Sequence, residues 1–65
     1  MNILINGEPT TTSAETLTML LEQNGFANTT IATAVNSTFV PQGQRETYSL
    51  KEGDQIEVLA PMQGG

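Results

Sequence analysis

One stretch of this chain carries an apolar stripe at helical spacing, and every other patterned stretch alternates with period two. Leu17, Leu20 and Leu21 stand at i, i+3 and i+4, on one face of a helix. Ile3 and Ile5 alternate with Asn2, Leu4 and Asn6, and Ile56 and Val58 alternate with Gln55, Glu57 and Leu59. Alternation of that kind marks half-buried strands. A lone helix of about 8–9 residues does not hold in water without tertiary packing. It can, however, cover one face of one sheet. The fold class that follows is α+β in two layers: a mixed four- to five-stranded sheet with a single short helix over one face.

The turn residues set the order of the elements. Asn6-Gly7 after the first strand is the preferred pair for a two-residue type I′ turn, because both central positions need positive φ. Residues 8–12 then form the return strand, and Pro9, which cannot donate to a ladder, belongs at its start or on a sheet edge. Two threonines compete to cap the helix. Thr12 has Glu15 three residues on, but Thr16 directly precedes the stripe and is preferred. Gly25 suits a left-handed stop, with Phe26 placed to contact Leu21. Residues 31–35 read as a strand with Ile31 and Val35 on one face and Ala32 and Ala34 on the other. Such small residues suit a central strand approached closely by the helix. Asn36-Ser37 is a turn, residues 38–40 a short strand stopped by Pro41, and residues 41–47 are polar and irregular. Tyr48 and Leu50 return to the core, residues 51–54 turn, and residues 55–59 form the clearest strand. The expected division is a domain over residues 1–60 and a flexible tail over 61–65.

Composition bounds the chemistry. At 65 residues there is room for one domain with a small core. There is no cysteine and no histidine, hence no disulfide and no ligand set for zinc, an iron–sulfur cluster or haem. With no thiol to attack and no imidazole to move protons near neutrality, the chain is not expected to be an enzyme. Glu52, Asp54 and Glu57 read as a solvated turn and strand face rather than a weak metal site, so no metal site is expected. The formal charge is −5, with Arg45 and Lys51 the two basic residues. Phosphate backbones and anionic membranes are therefore poor partners. Either the acidity matches a basic docking face on a partner protein, or it only maintains solubility. Residues 1–6 are too short for a signal-peptide core and carry no positive n-region, and no run approaches the roughly 20 apolar residues of a membrane span. A cytoplasmic location is expected.

The closing Gly64-Gly65 asks for a functional account. Without Cβ atoms, such a tail can enter a narrow channel and place its terminal carboxylate beside a reactive phosphate. Pro61 favours an extended course and lowers the entropy lost on docking. Residues 61–65 reach at most about 17 Å, enough to enter a buried site. A free carboxylate is ionised at neutral pH and a poor electrophile, so another protein must activate it. Met62 and Gln63 would enter with the two glycines, and the Met62 thioether adapts to irregular pockets. Phe39 and Leu59 fit exposed docking positions and core positions equally well.

The Asn6-Gly7 hairpin, Thr16-Leu17 with Leu20-Leu21, Gly25, Ala34-Val35-Asn36, Val40-Pro41, Gly53-Asp54 with Ile56 and Val58, and Gly64-Gly65 together resemble the ThiS family of thiamine-pathway sulfur carriers. The resemblance runs over essentially the whole chain, in the family's order and at its length. It implies a ubiquitin-like β-grasp fold. It also implies a protein cosubstrate that binds no cofactor itself. A ThiF-type adenylating enzyme would use ATP and Mg²⁺ to convert the Gly65 carboxylate to an acyl-adenylate. Sulfur from a desulfurase pathway would displace AMP and leave a thiocarboxylate, which thiazole synthase would consume. Molybdopterin-type and other thiolation carriers that end in di-glycine are an alternative, as is a non-covalent β-grasp adaptor that ignores the tail. The chain departs from the family pattern at Gln42, where an arginine often follows Val-Pro, and at Asn36-Ser37, where Asn-Gly is common. Arg45 comes three positions after Gln42, with Tyr48 as the nearby aromatic residue.

Overall fold

A computed structural model describes residues 1–26 and 30–60. The chain opens with β1 (Asn2–Ile5) and β2 (Glu8–Thr11), which pair antiparallel with Leu4 opposite Pro9. Between them Asn6 and Gly7 take φ values of 50° and 84°, the left-handed pair of a type I′ turn. The helix α1 (Leu17–Gln23) follows. β3 (Ala32–Val35), β4 (Thr38–Val40), a 3-10 turn (Gln42–Gln44) and β5 (Gln55–Leu59) complete the order. The five strands form one sheet in the order β2-β1-β5-β3-β4. β5 pairs parallel with β1 and antiparallel with β3, and β3 pairs antiparallel with β4. Pro9 thus sits on an edge strand, where its missing N–H costs no ladder bond.

The helix ends are built from the residues that the sequence offers for them. Thr16 Oγ1 accepts the Met19 N–H at 3.2 Å, capping the first turn. Thr12 has another task. Its hydroxyl accepts the Ala14 N–H and donates to Gln23 Oε1 at 2.7 Å, tying the lead-in to the end of the helix. At the other end Gly25 takes φ 84°. The Phe26 N–H donates to Leu21 O at 2.8 Å and the Gly25 N–H to Glu22 O at 3.3 Å, the two bonds of a Schellman stop. The helix holds seven residues, slightly fewer than the spacing suggests, because Asn24 already leaves helical geometry at φ −106°, ψ 14°.

Strand parity decides the core. Ile3, Val35, Val40, Ile56 and Val58 face the same side and pack with Leu17, Leu20 and Leu21 of the helix, joined by Ala14 and Leu50. Tyr48, Phe26, Ile31 and Ile5 pack partly buried around them. One expectation needs correction. Ala32 and Ala34 do not meet the helix, and β3 is not the central strand. β5 is central, while the helix side of β3 carries the buried Thr33 and Val35. The two alanines stand on the opposite, open face, opposite Leu59 and Glu57 of β5.

The β3–β4 turn carries strain that its glycine-bearing counterpart avoids. Asn36 and Ser37 take φ values of 51° and 71°, again a type I′ pair, with serine where glycine fits best. A non-glycine residue in this region costs roughly 1–2 kcal/mol, partly offset by the entropy glycine loses on folding. Ser37→Gly is therefore expected to raise the unfolding free energy by about 0.5–1 kcal/mol. Urea denaturation measures it, and a lower midpoint for the variant contradicts it.

Candidate functional site

The proposed modification site and its lead-in, Gly65, Gly64, Gln63 and Met62, lie outside the described residues. The structure describes the platform from which they extend: the end of β5 and the sheet face around it. β5 is held between β1 and β3, so the segment leading toward Pro61 leaves from the middle of the sheet.

The open face of the sheet carries the two most exposed large apolar side chains among the described residues. Phe39 is 64% and Leu59 65% exposed. Both therefore lie outside the core. Phe39 stands opposite Ala34 and Leu59 opposite Ala32. The small alanines leave a shallow depression of about 150 Å³ between the two large side chains, with Glu57 on its border. Their size fits this role, since larger residues on β3 would fill the depression. A basic complement would find Glu57 beside an apolar surface.

Three polar side chains fix β5 against its neighbours. Backbone bonds of the parallel pair run from Leu4 N–H to Asp54 O and from Asn6 N–H to Ile56 O. Past Ile56 the β1 strand has turned away at Asn6-Gly7. The Asn6 side chain takes over: Oδ1 accepts the Val58 N–H at 2.8 Å and Nδ2 donates to Val58 O at 3.2 Å. At the other end of β5, Asn36 Oδ1 accepts the Gln55 N–H at 3.0 Å, and Asn36 Nδ2 donates to Asp54 Oδ1 at 2.9 Å. Asp54 Oδ2 also accepts the Lys51 N–H at 2.8 Å. Asp54 is thus a buried turn-former rather than a solvated acid. Glu52, expected in a solvated turn, accepts the Asn2 N–H through Oε1. Among the described residues no three acidic side chains converge as a metal-binding group.

Arg45 has a role that its place in an irregular loop does not announce. Its Nε donates to Thr33 Oγ1 at 3.0 Å and its Nη2 to Ile31 O at 2.7 Å. Thr33 Oγ1 in turn donates to Val40 O at 2.9 Å. The guanidinium thereby satisfies a buried hydroxyl and binds the 3-10 segment to β3. The one sequence hint is that a β-branched threonine, with a hydroxyl to satisfy, occupies a core-facing strand position. Among the described residues no helix is long and apolar enough to cross a membrane.

Comparison with known proteins adds the family. A family model described as the ThiS family matches residues 3–65. Among solved structures, the chain is similar to the crystal structure of the thiamine biosynthesis protein ThiS from Geobacter metallireducens. They share 30% identity, each chain is covered in full, and the TM-score is 0.84. An NMR solution structure of a thiamine biosynthesis protein from the same organism matches at 28% identity, with a TM-score of 0.79. It covers all of this chain and 88% of that one. No curated protein gives a significant match. The five-stranded mixed sheet with one helix is the ubiquitin-like β-grasp of these neighbours. With a match that runs from the first strand through Gly65, this chain belongs to the ThiS family.

Proposed function

We propose that this chain is a cytoplasmic sulfur carrier of thiamine biosynthesis that bears its sulfur as a thiocarboxylate on Gly65. The observation that carries the reading is the family match, which extends through Gly64-Gly65 rather than stopping at the folded domain. Membership of the family implies a small carrier in thiamine sulfur transfer, not an enzyme. The composition agrees, since a backbone thiocarboxylate needs no thiol or imidazole from the carrier.

In this reading the chain binds no cofactor of its own. A ThiF-type enzyme with MgATP joins the Gly65 carboxylate to AMP and releases pyrophosphate. A persulfide sulfur from a desulfurase pathway then attacks the acyl carbon and expels AMP. Reductive cleavage of the resulting acyl disulfide by a thiol leaves the thiocarboxylate, which thiazole synthase takes up. Phe39 and Leu59 are the docking residues of this proposal, because the face they share carries the apolar exposure that a partner can bury. Met62, Gln63 and Gly64 enter the partner's channel ahead of Gly65.

Nutrition of a deletion strain tests the pathway. Loss of this chain is expected to impose a thiazole requirement, relieved by thiazole or by a plasmid copy of the chain. A requirement for molybdenum cofactor instead assigns the carrier to that pathway. Rescue by a copy lacking residues 64–65 overturns the covalent reading in favour of a non-covalent adaptor.

A further inference from the structure

We infer that Asn6 is a positioning residue for sulfur loading: its amide fixes the end of β5 from which the tail departs. The inference rests on the carrier reading above and adds a residue to it that lies far from the tail in sequence.

Along β5 the polar groups of successive residues alternate between the two neighbouring strands. Ile56 O and both polar backbone groups of Val58 point toward β1, while Gln55 points toward β3, where Asn36 meets it. β1 supplies a backbone partner to Ile56 through the Asn6 N–H and then reverses into the hairpin. On that side of β5, Val58 has no facing strand residue in the β1 register, which ends with Ile5 opposite Ile56. The Asn6 side chain stands in for the missing residue, supplying one acceptor and one donor to Val58 across 52 positions of sequence. A carboxylate lacks the donor and a hydroxyl lacks the reach, so the task selects an amide. The left-handed φ of 50° that Asn6 adopts turns the chain there and is tolerated by asparagine.

Without that amide, Val58 loses its side-chain partners on the β1 side, and the end of β5 is held only by its pairing with β3, Glu57 opposite Ala34 and Leu59 opposite Ala32. The last residues before Pro61 then sample more orientations, and fewer docked carriers present the Gly65 carboxylate to the activating enzyme. Two ordinary hydrogen bonds are involved, so the expected loss is roughly tenfold in the loading rate at saturating carrier.

Asn6→Gly separates this effect from damage to the turn, because glycine accepts the same left-handed φ. Asn36→Gly is the matched control. It keeps its own left-handed turn position while deleting a similar pair of amide bonds at the far end of β5. Thiocarboxylate formation is followed by intact mass, using the full chain, a ThiF-type enzyme, MgATP and a sulfur source. Thermal melting and hydrogen exchange are measured alongside. The expected result is a roughly tenfold lower kcat for Asn6→Gly, with faster exchange at Val58 and an intact fold. Asn36→Gly, destabilised to a similar extent, loads at nearly the unsubstituted rate, and Asn6→Asp, which retains the acceptor, falls between. Equal losses in the two glycine variants, or an unchanged kcat for Asn6→Gly, overturn the positioning role. If the unsubstituted protein itself gains no sulfur, the carrier reading has failed instead.

Discussion

Deletion of Gly65 is expected to abolish sulfur loading while leaving the fold unchanged. Among the described residues the core is assembled between Ile3 and Val58, and it is expected to form without Gly65. Its loss withdraws the terminal carboxylate by one residue, about 3.3–3.6 Å of extended chain. Misplacement of a reacting group by only about 1 Å can cost on the order of a hundredfold in rate. The new terminus is Gly64, again a glycine, so the deletion alters reach without adding a side chain. One alanine added after Gly65 is expected to fail equally, since it moves the carboxylate outward and introduces a Cβ at the reacting end. Intact mass after incubation with the activating enzyme reads both variants, and their thermal melts should match that of the unsubstituted chain. Loading of the deleted chain at a normal rate contradicts a role for the Gly65 carboxylate.

The second large effect lies in the core. Leu20 is 1% exposed at the centre of a seven-residue helix, and its side chain helps join that helix to the sheet. Leu20→Ala is expected to cost about 3 kcal/mol or more, the sum of lost transfer energy and the cavity left behind. Domains of this size often hold only about 3–5 kcal/mol in total. The variant is therefore expected to be largely unfolded near 37 °C, with loss of chemical-shift dispersion and of a cooperative melt. A folded variant with a melting temperature near that of the unsubstituted chain contradicts the central place given to this helix.

Local signals in the sequence were sufficient wherever one or two residues dictate backbone geometry. Asn6-Gly7 specifies its turn through the φ values it tolerates, Thr16 caps through a hydroxyl three residues from its donor, and Gly25 stops the helix. The alternation of residues 55–59 also marks β5 with the bounds observed. Long-range arrangement was less legible. The alanines of β3 were compatible with either face, and the sheet order that sets them opposite Leu59 and Glu57 depends on a strand more than twenty residues away. Asp54 looked solvated because its partners, Asn36 and the Lys51 N–H, are brought to it by the turn and by β3. Asn6 is legible as a turn residue, but its bonds to Val58 exist only once β1 and β5 lie side by side. Arg45 is the same case: its loop position is readable, whereas its reach to Ile31 and Thr33 is a product of packing. For the candidate site, Phe39 and Leu59 were identifiable as apolar residues but not as exposed ones. Exposure depends on which face the single helix covers.

The central claim is that the terminal carboxylate of Gly65 becomes the sulfur-bearing group. Mass spectrometry of the full chain, incubated with a ThiF-type enzyme, MgATP, cysteine and a desulfurase, tests it most directly. The predicted result is a gain equal to the replacement of one oxygen by one sulfur, confined to the peptide ending in Gly65 and absent when ATP is omitted. An unchanged mass, with enzymes shown to load their own carrier in parallel, or a sulfur found elsewhere in the chain, would contradict it.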